Sequence, residues 1–262
     1  MTAGSARRPP PPFLVAEVVG RDWLTPRLVR VTLEGEPLTS LEVTQPASSV
    51  RVLLPDPERP HDLELPSWDG NRFELSGGSR PVLRTLTPRH HESGGRLLKL
   101  DVVVHGDGAA ARWASDAADG SPAAVSGPAR GYSIDAEAET LVLGGDETAT
   151  AAISQILEAA TDVDVAVYLE IADAGSRPRL PDHPRCAIHW VDQEGKVPGA
   201  ALADRLADVD LPGGARLWAA GEAASMQRLR QRLFNDRGVP RAHATIRGYW
   251  KHGRSGEDEG GG

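Results

Sequence analysis

Apolar and polar positions alternate in two segments of the first half of the chain. In residues 28–33, Val29, Val31 and Leu33 fall on one face. In residues 97–104, Leu98, Leu100, Val102 and Val104 do the same, with Lys99 and Asp101 opposite. A period of two marks half-buried strands. Residues 50–54, apolar apart from Arg51, read as a strand that stops at Pro55. Several such strands at short intervals predict a small antiparallel β-barrel. Residues 58–78, rich in Pro, Asp and Gly, read as a loop excursion, and residues 127–132 as the exit from the barrel.

The pattern changes after residue 139. Leu141-Val142-Leu143 reads as a buried strand, followed by Gly144-Gly145-Asp146-Glu147-Thr148 and a helix over 149–160 with Ile153, Ile156 and Leu157 inward. Further strands are predicted over 163–171, 186–191, 217–220 and 242–246. A short helix is expected around Leu202 and Leu206. Another, over 224–236, buries Met226, Leu229 and Leu233 and leaves Arg228, Arg230 and Arg232 in solvent. Strands alternating with helices imply parallel βαβ units. The expected organisation is a tail (1–12), a β-barrel (13–134), an α/β doubly wound parallel sheet (139–250) and a C-terminal tail (251–262).

Composition narrows the chemistry. The chain has 262 residues and a net charge of −8, with a pI near 5.5, so a nucleic-acid-binding surface is not expected. A single cysteine, Cys186, excludes an internal disulfide and a four-cysteine iron–sulfur cluster. It lies in a strand-like run and reads as a buried small hydrophobe. No apolar run approaches the roughly 20 residues that span a bilayer. Arg7-Arg8 is followed by prolines rather than an apolar stretch, so neither a signal peptide nor a membrane anchor is expected, and a cytoplasmic monomer is. His90-His91-Glu92 has no third ligand at fixed spacing. It reads as a solvated loop, and no metal site is expected.

Two segments carry candidate chemistry. Arg84-Thr85-Leu86-Thr87 places a guanidinium fork and a hydroxyl along one strand end, a pairing suited to phosphate. The second strand runs through Asp101, Val103 and Val104 to His105 and Gly106, and then into Ala110, Ala111 and a predicted helix. Small residues allow close backbone approach, and a helix N-terminus favours an anion. Both segments point to a cofactor with a pyrophosphate. In the second half, Asp146, Thr148, Ala149, Gly221 and Glu222 sit at the carboxyl ends of predicted parallel strands, where nucleotides bind in open α/β sheets. A full Gly-x-Gly-x-x-Gly fingerprint is absent.

These motifs, with Ser126-Gly127-Pro128, Ala220-Gly221-Glu222-Ala223 and Gly248-Tyr249-Trp250-Lys251, resemble the siderophore-interacting protein family of flavin-dependent ferric-siderophore reductases. The resemblance runs from about Phe13 to Arg254. It implies that Arg84, Thr85, Leu86, Thr87, Asp101, Val103, Val104, His105, Gly106, Ala110 and Ala111 hold FAD. It places NADH or NADPH on Asp146, Thr148, Ala149, Gly221 and Glu222. Arg51, Arg130 and Lys251 match the basic residues that hold the anionic ferric siderophore. The implied activity carries electrons from NAD(P)H through FAD to Fe(III), with no amino-acid general base. Leu86 stands where the family has an aromatic residue, and Ala111 where it has Ser or Thr. These departures keep open a flavin-site-degenerate member acting as a non-redox binding protein or an auxiliary biosynthetic enzyme.

Overall fold

The computed structural model describes residues 10–106, 108–193 and 195–253. The expected tails therefore lie mostly outside the described residues.

Among the described residues, nine strands precede residue 127: β1 (Leu14–Thr25), β2 (Leu28–Glu34), β3 (Val50–Leu54), β4 (Ser67–Trp68), β5 (Phe73–Glu74), β6 (Val82–Leu86), β7 (Pro88–His91), β8 (Leu97–Val103) and β9 (Pro122–Ser126). Seven form one antiparallel sheet in the order β6-β3-β9-β1-β2-β8-β7. The alternating residues do what their period demands: Val29, Val31, Leu33, Leu98, Leu100 and Val102 all enter one core. Helix α1 (Ala109–Asp116) adds Trp113 and Ala114 to it. The sheet's two end strands, β6 and β7, are consecutive in the chain and joined at Thr87. The seam of the barrel is therefore closed by the chain itself, at the threonine of the Arg84 motif.

The second half is a five-stranded parallel sheet made of β10 (Thr140–Asp146), β11 (Asp164–Ile171), β12 (Cys186–Asp192), β13 (Ala215–Glu222) and β14 (Ala244–Trp250). Its order is β12-β11-β10-β13-β14, so the winding reverses between β10 and β13. One face is covered by α2 (Thr150–Ala159), the other by α3 (Ala200–Ala207) and α4 (Ala223–Arg230).

Several expectations change. The 58–78 excursion contains the β4–β5 hairpin. His90 and His91 belong to β7, not a loop. The His91 ring nitrogens lie 2.9 Å from the carbonyls of Leu97 and Leu41, tying the strand to its neighbours. Cys186 is half-buried and Ala187 to His189 are exposed, because β12 is the edge of its sheet. The helix expected to reach residue 236 ends as α4 at Arg230 and continues as a π-turn over Gln231–Asp236. Of its arginines, Arg228 is exposed as expected, whereas Arg230 donates to the Ile246 carbonyl and Arg232 pairs with Asp204 and Asp208. Strand β14 runs four residues past the expected end, to Trp250.

The two halves are joined by named contacts. Arg27, in the β1–β2 turn, donates to both Glu147 oxygens at 3.2 and 2.9 Å. Arg89 forks onto Glu158. The Gln155 amide accepts from Ala47 N–H and donates to the Pro88 carbonyl, both at 2.8 Å. Arg247 donates to the carbonyls of Ala47 and Gly131.

Candidate functional site

The barrel segments and the parallel sheet meet around the end of β14. Thr87 is buried at the barrel seam and faces Tyr249 closely enough to influence its phenol. Yet the buried Tyr249 hydroxyl has no partner in hydrogen-bonding geometry. Burial raises that phenol's pKa, Thr87 opposing. The next residue, Trp250, turns the other way. Its ring lies 5.5 Å from that of His105, and its indole N–H donates to Asp146 Oδ2 at 2.8 Å. The β13–β14 register slips here, with Gly221 opposite Gly248 and Glu222 opposite Trp250; Tyr249 packs toward Trp218 and Trp250 toward His105.

Asp146 organises the carboxyl ends of β10, β13 and β14. Its Oδ1 accepts from Thr148 N–H at 2.9 Å and from the Thr148 hydroxyl, and its Oδ2 accepts from Glu222 N–H at 3.1 Å and from Trp250. Burial pushes its carboxyl up, and these donors oppose the shift. A Cβ on Gly221 would lie 2.6 Å from Asp146 Oδ2. The glycine is therefore required by this close approach. Glu222 caps α4 by accepting from Ser225 N–H at 2.7 Å. Burial works against its ionisation, yet the backbone donors of Ser225, Ala224 and His252 hold it below the ordinary carboxylate value. Both acids sit beside the point where the winding reverses, the place where open α/β sheets bind ligands.

On the barrel side, Arg84, Thr85 and Leu86 lie in β6. Arg84 is opposite Val52 and Leu86 opposite Val50, and Leu86 packs on the barrel core. Arg84 Nη1 donates to the Leu83 carbonyl at 2.8 Å. Asp101 is taken up by Arg30, which forks onto it at 2.7 and 2.9 Å. Val103 ends β8, and Val104 and His105 lead to Gly106, whose φ is 58° with open space where a side chain would stand. Ala110 and Ala111 lie in the first turn of α1, whose N-cap residue, Gly108, has no side chain to cap it. Ala111 is buried, so its side chain is directed into the protein. Partial burial and then the Arg27 cation hold the His105 imidazole below its ordinary value, Asp146 opposing.

This arrangement fits a flavin dinucleotide. The first-turn N–H groups of α1 and an open glycine suit a pyrophosphate, and the buried Tyr249 hydroxyl near Thr87 adds a polar atom at the seam. Arg51 projects exposed from β3, Arg130 is exposed in the linker beside Gly131, and Lys251 is exposed just past β14. Thr148 and Ala149 form a 3-10 turn that starts α2. Sequence reading missed Arg27. Its partner lies 120 positions away, and a turn residue carries no local signal of such a contact. Among the described residues no group of three metal-ligating side chains occurs, and no helix is long and apolar enough to cross a membrane.

Two family models match the chain: the siderophore-interacting FAD-binding domain over residues 17–132 and the siderophore-interacting protein model over residues 138–253. The protein Rv2895c of Mycobacterium tuberculosis is 32% identical, covering 94% of this chain and 93% of its own. The ferric vibriobactin reductase ViuB of Vibrio cholerae is 28% identical, covering 92% and 90%. A siderophore utilization protein from T. fusca superposes with a TM-score of 0.83 at 33% identity, covering 96% and 97%. The matches run across nearly the full chain, which belongs to the FAD-binding siderophore-interacting protein family.

Proposed function

We propose that this protein is a reductase that moves electrons from NAD(P)H through FAD to the Fe(III) of an anionic siderophore chelate, which then releases Fe(II). The observation that carries the reading is the convergence of both flavin-motif segments on one dipeptide. Thr87 faces Tyr249, and His105 packs on Trp250, at the carboxyl end of the parallel sheet. When bound, FAD converts a two-electron hydride donor into a one-electron source. The chain's own residues bind and orient. Arg84 and the first turn of α1 supply donors for the pyrophosphate. Tyr249 and Thr87 offer hydroxyls at the barrel seam. Gly221 and Asp146 shape the crevice for the nicotinamide nucleotide. No side chain needs to move a proton to the iron.

His105 makes the flavin affinity depend on pH. Its imidazole is held low in the free protein, and a neighbouring pyrophosphate draws it upward. Binding therefore takes up a proton. FAD affinity should rise as pH falls from about 7.5 to about 6, the range in which histidine titrates. His105→Gln should flatten that dependence. Titration calorimetry in buffers of different ionisation enthalpy measures the proton directly, and a pH-independent wild-type affinity would remove His105 from the phosphate site.

The overall charge of −8 repels an anionic chelate, so local cations must offset it. Arg51→Ala and Lys251→Ala should each raise the apparent KM for an anionic ferric chelate and leave reduction of a neutral acceptor near wild type. Added salt should mimic the substitutions. Equal loss with both acceptors would assign these residues to the fold or the flavin instead.

A further inference from the structure

Resting on the reading that a nicotinamide nucleotide binds at the carboxyl ends of the parallel strands, we propose that the loop after β11 is a 2′-phosphate subsite, built on Arg177, that selects NADPH over NADH. In doubly wound sheets an acid at the end of the second strand accepts from the adenosine 2′-hydroxyl of NADH, whereas a nearby arginine accommodates the 2′-phosphate of NADPH. Strand β11 is the second strand of this sheet, and it offers no carboxylate turned toward a ligand. Glu170 is buried, and its two oxygens accept from Gly199 N–H at 2.6 Å and Leu202 N–H at 2.9 Å, which fixes the start of α3. Asp173 is folded onto its own turn, accepting from Gly175 N–H at 2.8 Å and from the Ser176 hydroxyl at 3.0 Å.

The next residues bring the opposite charge. Arg177 and Arg179 are exposed directly after that turn. The Arg177 guanidinium lies 5.4 Å from the ring centre of Trp190 on β12. This contact orients the fork and leaves its N–H edge for a phosphate, while the half-buried indole adds an apolar wall beside it. The position also suits the length of the ligand. From β14, where Tyr249 and Trp250 mark the flavin end, to β11 is three strand spacings, about 14 Å, a span an extended dinucleotide covers.

The test is equilibrium binding to the flavin-loaded full chain, with no turnover. Adenosine 2′,5′-bisphosphate and 5′-AMP are titrated by calorimetry. The bisphosphate should bind about 10- to 100-fold more tightly, as a charge-assisted fork contact predicts, and the advantage should shrink with salt. Arg177→Ala should bring the two within about twofold of each other while leaving 5′-AMP affinity and thermal midpoint unchanged, and Arg177→Lys should restore part of the difference. Equal wild-type affinities, or an advantage that survives Arg177→Ala, would overturn the 2′-phosphate assignment alone. Failure of both nucleotides to bind would overturn the nicotinamide-nucleotide reading as well.

Discussion

Arg84→Ala should weaken FAD binding by about 2–4 kcal/mol, roughly 30- to 900-fold, the cost of removing one charged partner from a desolvated contact. The guanidinium sits in β6 two residues before the strand's end, and Nη1 is steadied by the Leu83 carbonyl. It lies beside the seam where Thr87 faces Tyr249. FMN, which lacks the pyrophosphate, should bind more weakly than FAD to the wild type. Arg84→Lys should recover charge but not the fork, and so only part of the affinity. Fluorescence titration of flavin-free protein measures these constants, and its thermal midpoint separates binding from folding. An Arg84→Ala affinity within about threefold of wild type would place the pyrophosphate elsewhere.

The second large effect concerns stability. Asp146→Ala should cost about 3–5 kcal/mol, because it strands buried and half-buried donors on three separate elements at once. Thr148 N–H, Glu222 N–H and the Trp250 indole all lose their acceptor. Asp146→Asn keeps the size and one acceptor oxygen, so it should cost less. Trp250 would also lose its tether, and with it the packing against His105. Urea unfolding followed by circular dichroism gives the free energies. A loss below about 1 kcal/mol, the size of an ordinary surface effect, would show that the strand ends hold together without this carboxylate.

The legible parts of the molecule are those where one residue's environment decides its type. Val29, Val31 and Leu33 alternate because one face of β2 enters the barrel core, and Leu141 to Leu143 form an unbroken apolar run because β10 is central and covered on both faces. Edge position is not local information. Cys186 to His189 read like an interior strand, yet β12 has no neighbour on one side. The end of β14 is hidden for a related reason: Trp250 extends the strand because its acceptor, Asp146, lies far away in the chain. The Arg84, His105 and Asp146 positions were visible as motifs. What the motifs could not give is that Asp101 is committed to Arg30, that Ala111 is buried and Leu86 packs on the barrel core, or that Arg27 ties the barrel to Glu147. Each of those depends on a pairing fixed by the three-dimensional register.

The central claim is electron transfer through bound FAD to a ferric chelate. The direct measurement is anaerobic absorbance of the flavin-loaded protein, first mixed with NADPH and then with a ferric siderophore in the presence of a ferrous-specific chromogenic chelator. The expected result is loss of the flavin absorbance with NADPH, its return on adding the ferric complex, and appearance of the ferrous complex in proportion. A protein that takes up no FAD, or whose flavin absorbance is bleached by NADPH and stays bleached when the ferric siderophore is added, would contradict it.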